Sequence, residues 1–331
     1  MALLGADGNT AKEIQSAIAN GANIDDIHEH FSYINDFINN NINQDSLRMV
    51  NKVYFDEHLN LMDAYKNEIK EYYNGNFELV NFSDNETVAF NINKFVADFT
   101  KNEIQNLAEP QMFDNGTAMV FINAILFEKN WASPFKSQSW KTKFYSSQNS
   151  TTEVSMMEKE IYSRYSENEK YQFLELPYEN NLFSMFLILP RKQFELSKIL
   201  KDIKVTEILD LITLSNPVNV NVTIPQFSIE SNINLQNTLN ELNINDAFNS
   251  MKANFSNLSI EKVFISKIVH KAVIKVSEKG TKAAAATLGG LQYIAKYEST
   301  IKPPKFIADH PFLYLIVDQH KHIHFIGTFY N

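Results

Sequence analysis

Met119 to Phe127, read as Met-Val-Phe-Ile-Asn-Ala-Ile-Leu-Phe, restricts the fold of this chain more than any other stretch. It is a nearly continuous apolar run, far too short to span a bilayer. It lacks the period-two alternation of a strand with one wet face, so it reads as a strand buried on both faces. Leu182 to Leu189 (LFSMFLIL) is a second such run, ended by Pro190. Strands of this kind must be covered on two sides, and the flanking sequence supplies the cover. Thr10 is expected to cap a helix through Ile14 and Ile18. Leu59 to Tyr73 predicts a charged, amphipathic surface helix. Ile92 to Leu107 places Ile92, Phe95, Val96, Phe99 and Ile104 near helical spacing. Strands are predicted at Arg48–Tyr54, Val218–Ile224 and Val263–Val276, with a helix over Leu235–Leu242. Phe312–Val317 and Ile323–Phe329 read as a terminal hairpin around His320 and Lys321. No Gly- or Ser-rich linker and no repeat divides residues 1–331, so a single α+β domain with large sheets is expected.

Composition removes several functions. The chain carries a formal net charge of −9 and a pI near 5.4, whereas nucleic-acid binders show a basic excess. No apolar run reaches membrane-spanning length. With no cysteine, disulfides, thiol catalysis and Cys-ligated zinc are excluded. Sequons such as Asn81-Phe82-Ser83 and Asn115-Gly116-Thr117 are expected by chance in so asparagine-rich a chain. A serine hydrolase would need a Gly-x-Ser-x-Gly elbow, which is missing. His320, His322 and His324 alternate onto one strand face, but without a carboxylate or fourth ligand in the pattern they read as polar hairpin residues. No catalytic residue, cofactor or metal is assigned, and the chain is not expected to be an enzyme.

The second unusual stretch is Glu278-Lys279-Gly280-Thr281-Lys282 followed by Ala283, Ala284, Ala285, Ala286 and Thr287. Alanine favours helix, yet the run is short, no amphipathic pattern follows, and Gly289 and Gly290 weaken a helix. The segment looks built to be accommodated between other elements rather than to pack.

Several further stretches, in order and spacing, resemble the serpin family along essentially the whole chain. They are Gly5 to Ile14 (GADGNTAKEI), Phe121 to Ala124 with Phe127 to Phe135 (FEKNWASPF), and Leu174 to Tyr178 (LELPY) with Ser184-Met185 and Leu189-Pro190. Ile224 to Phe227 (IPQF), Ser266-Lys267 with His270-Lys271-Ala272, Ala308 to Leu313 (ADHPFL) and Phe325-Ile326-Gly327 complete the pattern. The resemblance implies a serpin fold: large mixed sheets, surrounding helices and an exposed reactive loop within 278–305. It also implies a suicide mechanism. A serine protease cleaves the loop, becomes an acyl-enzyme, and is trapped as the cut loop inserts into the main sheet.

On that reading Glu278, Gly280, Thr281, Ala283–Ala286 and Thr287 form the hinge. Strand alternation places Thr281, Ala283, Ala285, Thr287, Gly289, Leu291 and Tyr293 on one face, and none is charged. A charge at Thr281 would be buried on insertion at a cost of several kcal/mol. Family loop spacing counted forward from Gly280 places the scissile bond at Ile294-Ala295, which fits an elastase-like or chymotrypsin-like target. Counting back from His310 gives Lys296-Tyr297 and a trypsin-like target. Asn123 and His270 match the polar pair beneath the opening strands, and Trp131 matches the tryptophan where the loop first enters. Glu278 matches a hinge glutamate that pairs with a base in some members. Its counterpart here is Gln226, so that ion pair is expected to be lost or reduced to a hydrogen bond.

The sequence departs from the family at its start, which falls inside the second helix. The preceding helix, strand and half-helix would supply serine partners for His270. Either a fragment or a shortened member is expected, and in the shortened case inhibition itself is in question. The alternative function is therefore a noninhibitory serpin, cleaved as a substrate or acting as a binding module. A monomer without nucleic-acid or membrane partners is expected, extracellular if the true N-terminus is missing and cytoplasmic otherwise.

Overall fold

A computed structural model describes residues 1–41, 47–136, 138–280 and 302–331. In chain order the elements are α1 (Ala2–Gly5), α2 (Gly8–Ala19), α3 (Ile24–Asn41), β1 (Leu47–Asp56), α4 (Asp63–Tyr73), β2 (Phe77–Val80), α5 (Asn85–Phe99) and β3 (Met119–Phe127). There follow β4 (Trp140–Ser147), β5 (Ser150–Glu167), β6 (Tyr171–Pro177), β7 (Phe183–Pro190), α6 (Leu196–Asp202), α7 (Val205–Leu214) and β8 (Asn216–Pro225). The chain continues through β9 (Phe227–Asn234), α8 (Leu235–Glu241), β10 (Ile265–Val276), β11 (Lys305–Ile307), β12 (Phe312–Asp318) and β13 (Ile323–Phe329). They group into two compact units, Met1–Phe127 with Ile229–Ile274, and Glu128–Ser228 with Lys275–Asn331.

The first unit is built on a five-stranded sheet of order β2-β1-β3-β10-β9. The apolar run is β3, at the centre of the sheet. It is antiparallel to β1 and parallel to β10, with Asn51 opposite Asn123 and Asn123 opposite His270. One face of β3 (Val120, Ile122, Ala124, Leu126) shares a core with Val269 and Val273 of β10 and with Val88, Ala89, Ile92 and Val96 of α5. Here the helix starts earlier than the periodicity indicates, because Asp84 caps it by accepting the Thr87 N–H. It stops at Phe99 because Lys101 and Asn102 turn to positive φ. Ile104 and Leu107 still reach this core, from the loop beyond. α2 also begins earlier than expected, with Asp7 and not Thr10 at its N-cap position. The buried Thr10 hydroxyl accepts the Asn254 N–H instead.

The second unit holds a sheet of order β11-β8-β5-β6-β7-β12-β13, with β4 paired to β5. β7 is the second apolar run, and only Ser184 in it is incompletely buried. α6 and α7 place Leu196, Ile199, Ile208 and Ile212 against Phe173, Ile188 and Leu315 of the sheet. The terminal hairpin forms as expected, with β12 antiparallel to both β7 and β13.

Candidate functional site

The seam between β3 and β10 runs from Ile265 opposite Met119 to Ile274 opposite Phe127. It is a parallel ladder, a pairing slightly weaker per residue than the antiparallel one. Asn51, Asn123 and His270 stand in one row across β1, β3 and β10. Asn123 donates through Nδ2 to Asn51 Oδ1 at 2.5 Å, and its Oδ1 meets His270 Nδ1. His270 therefore closes its hydrogen bond across the seam. Burial holds the His270 imidazole below its ordinary pKa, so the neutral ring is favoured. Asn51 is a third member of this row that the sequence reading did not single out. An asparagine inside the otherwise strand-like Arg48–Tyr54 was its signal.

On the other face, α5 and the loop after it are tied down on both sides of the seam. Arg48 of β1 donates to the Phe99 carbonyl at 2.9 Å. Lys271 of β10, which is buried, donates to the Gln105 carbonyl at 2.7 Å and pairs with Glu230 of β9 at 2.5 Å. Residues 99–105 thus bridge the strands on either side of the β3–β10 ladder.

β10 continues into Ser277–Gly280, which belong to the second unit and dock there on residues 130–136. The Trp131 N–H donates to the Lys279 carbonyl at 2.9 Å, the Phe135 N–H to the Glu278 carbonyl at 2.8 Å, and the Trp131 indole to the Ser277 carbonyl at 2.9 Å. Trp131 is itself stacked on buried Tyr178 at 4.4 Å. Gly280 sits at φ +146°, and a Cβ there would lie 2.2 Å from the Lys129 carbonyl oxygen and 2.4 Å from Asn130 Cα. Only glycine fits against that backbone. The Ser277 hydroxyl and N–H both reach back to the Gly280 carbonyl, at 2.8 and 2.7 Å. No hydrogen bond joins Glu278 to Gln226 among the described residues. Thr281, Ala283, Ala284, Ala285, Ala286 and Thr287 of the hinge lie outside the described residues, as do both candidate bonds, Ile294-Ala295 and Lys296-Tyr297.

The histidines of the terminal hairpin engage a carboxylate that the motif reading passed over. Asp318, with its side chain fully buried, accepts from His322 Nδ1 at 2.9 Å and His324 Nε2 at 3.0 Å through Oδ2. Its Oδ1 accepts the N–H groups of His320 and His322 at 2.8 and 3.0 Å. Burial raises its pKa, but the hydrogen bonds from His324 and His322 outweigh this and lower it to about 2. The geometry is that of a hairpin fastened by one carboxylate.

Comparison with known proteins agrees with this architecture. The profile of the family described as Serpin (serine protease inhibitor) matches residues 1–331. Human leukocyte elastase inhibitor is 34% identical over 329 residues, covering 96% of this chain and 85% of its own length. Mouse neuroserpin is 33% identical over 330 residues, covering 95% and 78%. Crystalline uncleaved ovalbumin superposes with a TM-score of 0.89 at 27% identity, covering all of this chain and 89% of its own. Serpin48, described as a highly specific serpin of the insect Tenebrio molitor, gives 0.87 at 28% identity, with 100% and 87% covered.

Proposed function

The chain belongs to the serpin family, and on that premise we propose that it is a suicide inhibitor of a serine protease. The observation that carries this reading is the parallel pairing of β3 with β10, together with the exit of the loop from the end of β10. A chain that turns back at Gly280 and enters between the two strands runs antiparallel to both. One parallel ladder is then replaced by two antiparallel ones, and an antiparallel neighbour needs only a short turn. β3 has 9 residues. At about 1 kcal/mol net per hydrogen bond, a new central strand of this length supplies on the order of 10 kcal/mol.

The residues from Thr281 onward suit that entry. Thr281, Ala283, Ala285 and Thr287 are small and uncharged, so neither bulk nor buried charge opposes insertion. The target class follows from the scissile bond. Ile294 favours an elastase-like or chymotrypsin-like pocket, and Lys296 a trypsin-like one. Incubation with elastase, chymotrypsin and trypsin tests the proposal on denaturing gels. An SDS-stable covalent complex is expected with one of them, and the mass of the released C-terminal peptide assigns the bond. Cleavage by all three without a complex would overturn inhibition and leave a serpin that is cleaved as a substrate.

A further inference from the structure

Lys159 of β5 is buried, yet among the described residues it has no carboxylate partner. Its ammonium donates to the Ser133 carbonyl at 2.7 Å and lies 4.4 Å from the ring centre of Phe135 and 5.5 Å from that of Trp131. All three contacts fall on residues 130–136, the segment whose other contacts hold Ser277–Gly280. Trp131 and Phe135 therefore each do two things: they face the ammonium with their rings and grip the hinge through their N–H groups. We propose that Lys159 is a positioning residue for the hinge, its amino group setting the shape of residues 130–136 and thereby how readily Ser277–Gly280 is released for loop insertion. The assignment builds on the inhibitor reading for its consequence, though not for its geometry.

The surrounding charges leave Lys159 to itself. Glu158 and Glu160, its neighbours on β5, alternate to the opposite face, and Glu158 pairs with Lys136 at 2.6 Å. β8, which runs alongside with Val222 opposite Lys159, carries no ionisable residue. Glu128 and Lys129 lie on the segment leading to Trp131, and Glu278 and Lys279 on the hinge. Beyond Tyr178, Glu179 accepts from Asn130. None of these forms an ion pair with Lys159 among the described residues. A carbonyl and two aromatic faces repay only part of the lost hydration. Burial accordingly lowers the lysine pKa from 10.5 to about 7. The sign follows directly. The closed box prefers the neutral amine, so acidification through about 7 charges Lys159 and favours its escape to water. Escape removes the support beneath Trp131 and Phe135 and loosens the hinge.

The chain has only two tryptophans, so Trp140→Phe leaves Trp131 as the sole indole reporter. Its fluorescence is expected to titrate in one step centred near 7, and that step should vanish in Lys159→Met, which keeps the length but not the charge. Lys159→Arg, charged throughout, should stay at the acidic plateau. The second readout is the number of inhibitor molecules consumed per protease trapped. Wild type is expected to need fewer in acid and more in alkali relative to Lys159→Met at the same pH, a ratio in which the protease's own pH dependence cancels. A flat Trp131 titration in wild type, or a step that survives in Lys159→Met, would overturn the role of Lys159. Absence of covalent complex in every variant, with the titration intact, would overturn the inhibitor reading alone.

Discussion

Gly280 is the residue whose replacement has the most predictable result. Its positive φ and the backbone of Lys129 and Asn130 leave no room for a methyl group. Gly280→Ala is expected to undock Ser277–Gly280 at a cost of at least about 1 kcal/mol, read as a lower denaturation midpoint and a shifted Trp131 emission. Asp318 offers a second test. Asp318→Asn keeps the shape but leaves two imidazoles competing for a weaker acceptor, so a loss of about 2–4 kcal/mol is expected in chemical denaturation. Because the folded pKa of Asp318 is depressed to about 2, its stabilisation is present above the usual carboxylate range and disappears as pH falls through that value. Histidines act with the same sign in a higher window. Burial pushes His28 down to about 4 and lowers His270 as well, so the unfolded chain binds more protons below about 6.5. Stability should fall as pH drops from about 6.5 towards 4, and replacing both histidines with glutamine should flatten that slope.

At the scale of elements, the strap formed by α5 and residues 99–105 must yield before β3 and β10 can part. Lys271→Met removes its anchor on β10 while keeping the buried stem. Charged hydrogen bonds contribute about 1.5–3 kcal/mol, so trapping is expected to quicken by roughly ten- to a hundredfold in stopped-flow assays against a common target protease. Unchanged kinetics would mean that the strap moves with β10. Much of this architecture was legible in the sequence. Continuous apolar runs gave β3 without error and β7 to within one residue, because a strand buried on both faces leaves no other pattern. Helix ends were less legible. Ile104 and Leu107 kept the helical spacing of α5 although they belong to a loop, since burial against the same core needs no helix. The site was half legible. His270, Asn123, Trp131, Glu278 and Gly280 were named from family resemblance, whereas Asn51 and Lys159 were not. Each is a polar residue inside a strand, and only the register of neighbouring strands shows what it faces.

For the whole molecule, trapping by insertion requires that the folded chain is not its own most stable arrangement. The main sheet holds the parallel β3–β10 seam, which insertion would replace with two antiparallel ladders, and residues 281–301 lie in sequence between Gly280 and β11. Cutting the loop would free one end to enter the seam once β3 and β10 part. The direct measurement is the thermal unfolding midpoint of the intact chain and of the same chain after a single cut within residues 281–301, its two pieces still associated. A large upward shift on cleavage is expected, because the new strand adds hydrogen bonds on both sides. An equal or lower midpoint would show that the cut loop stays out of the sheet, and would contradict trapping by insertion.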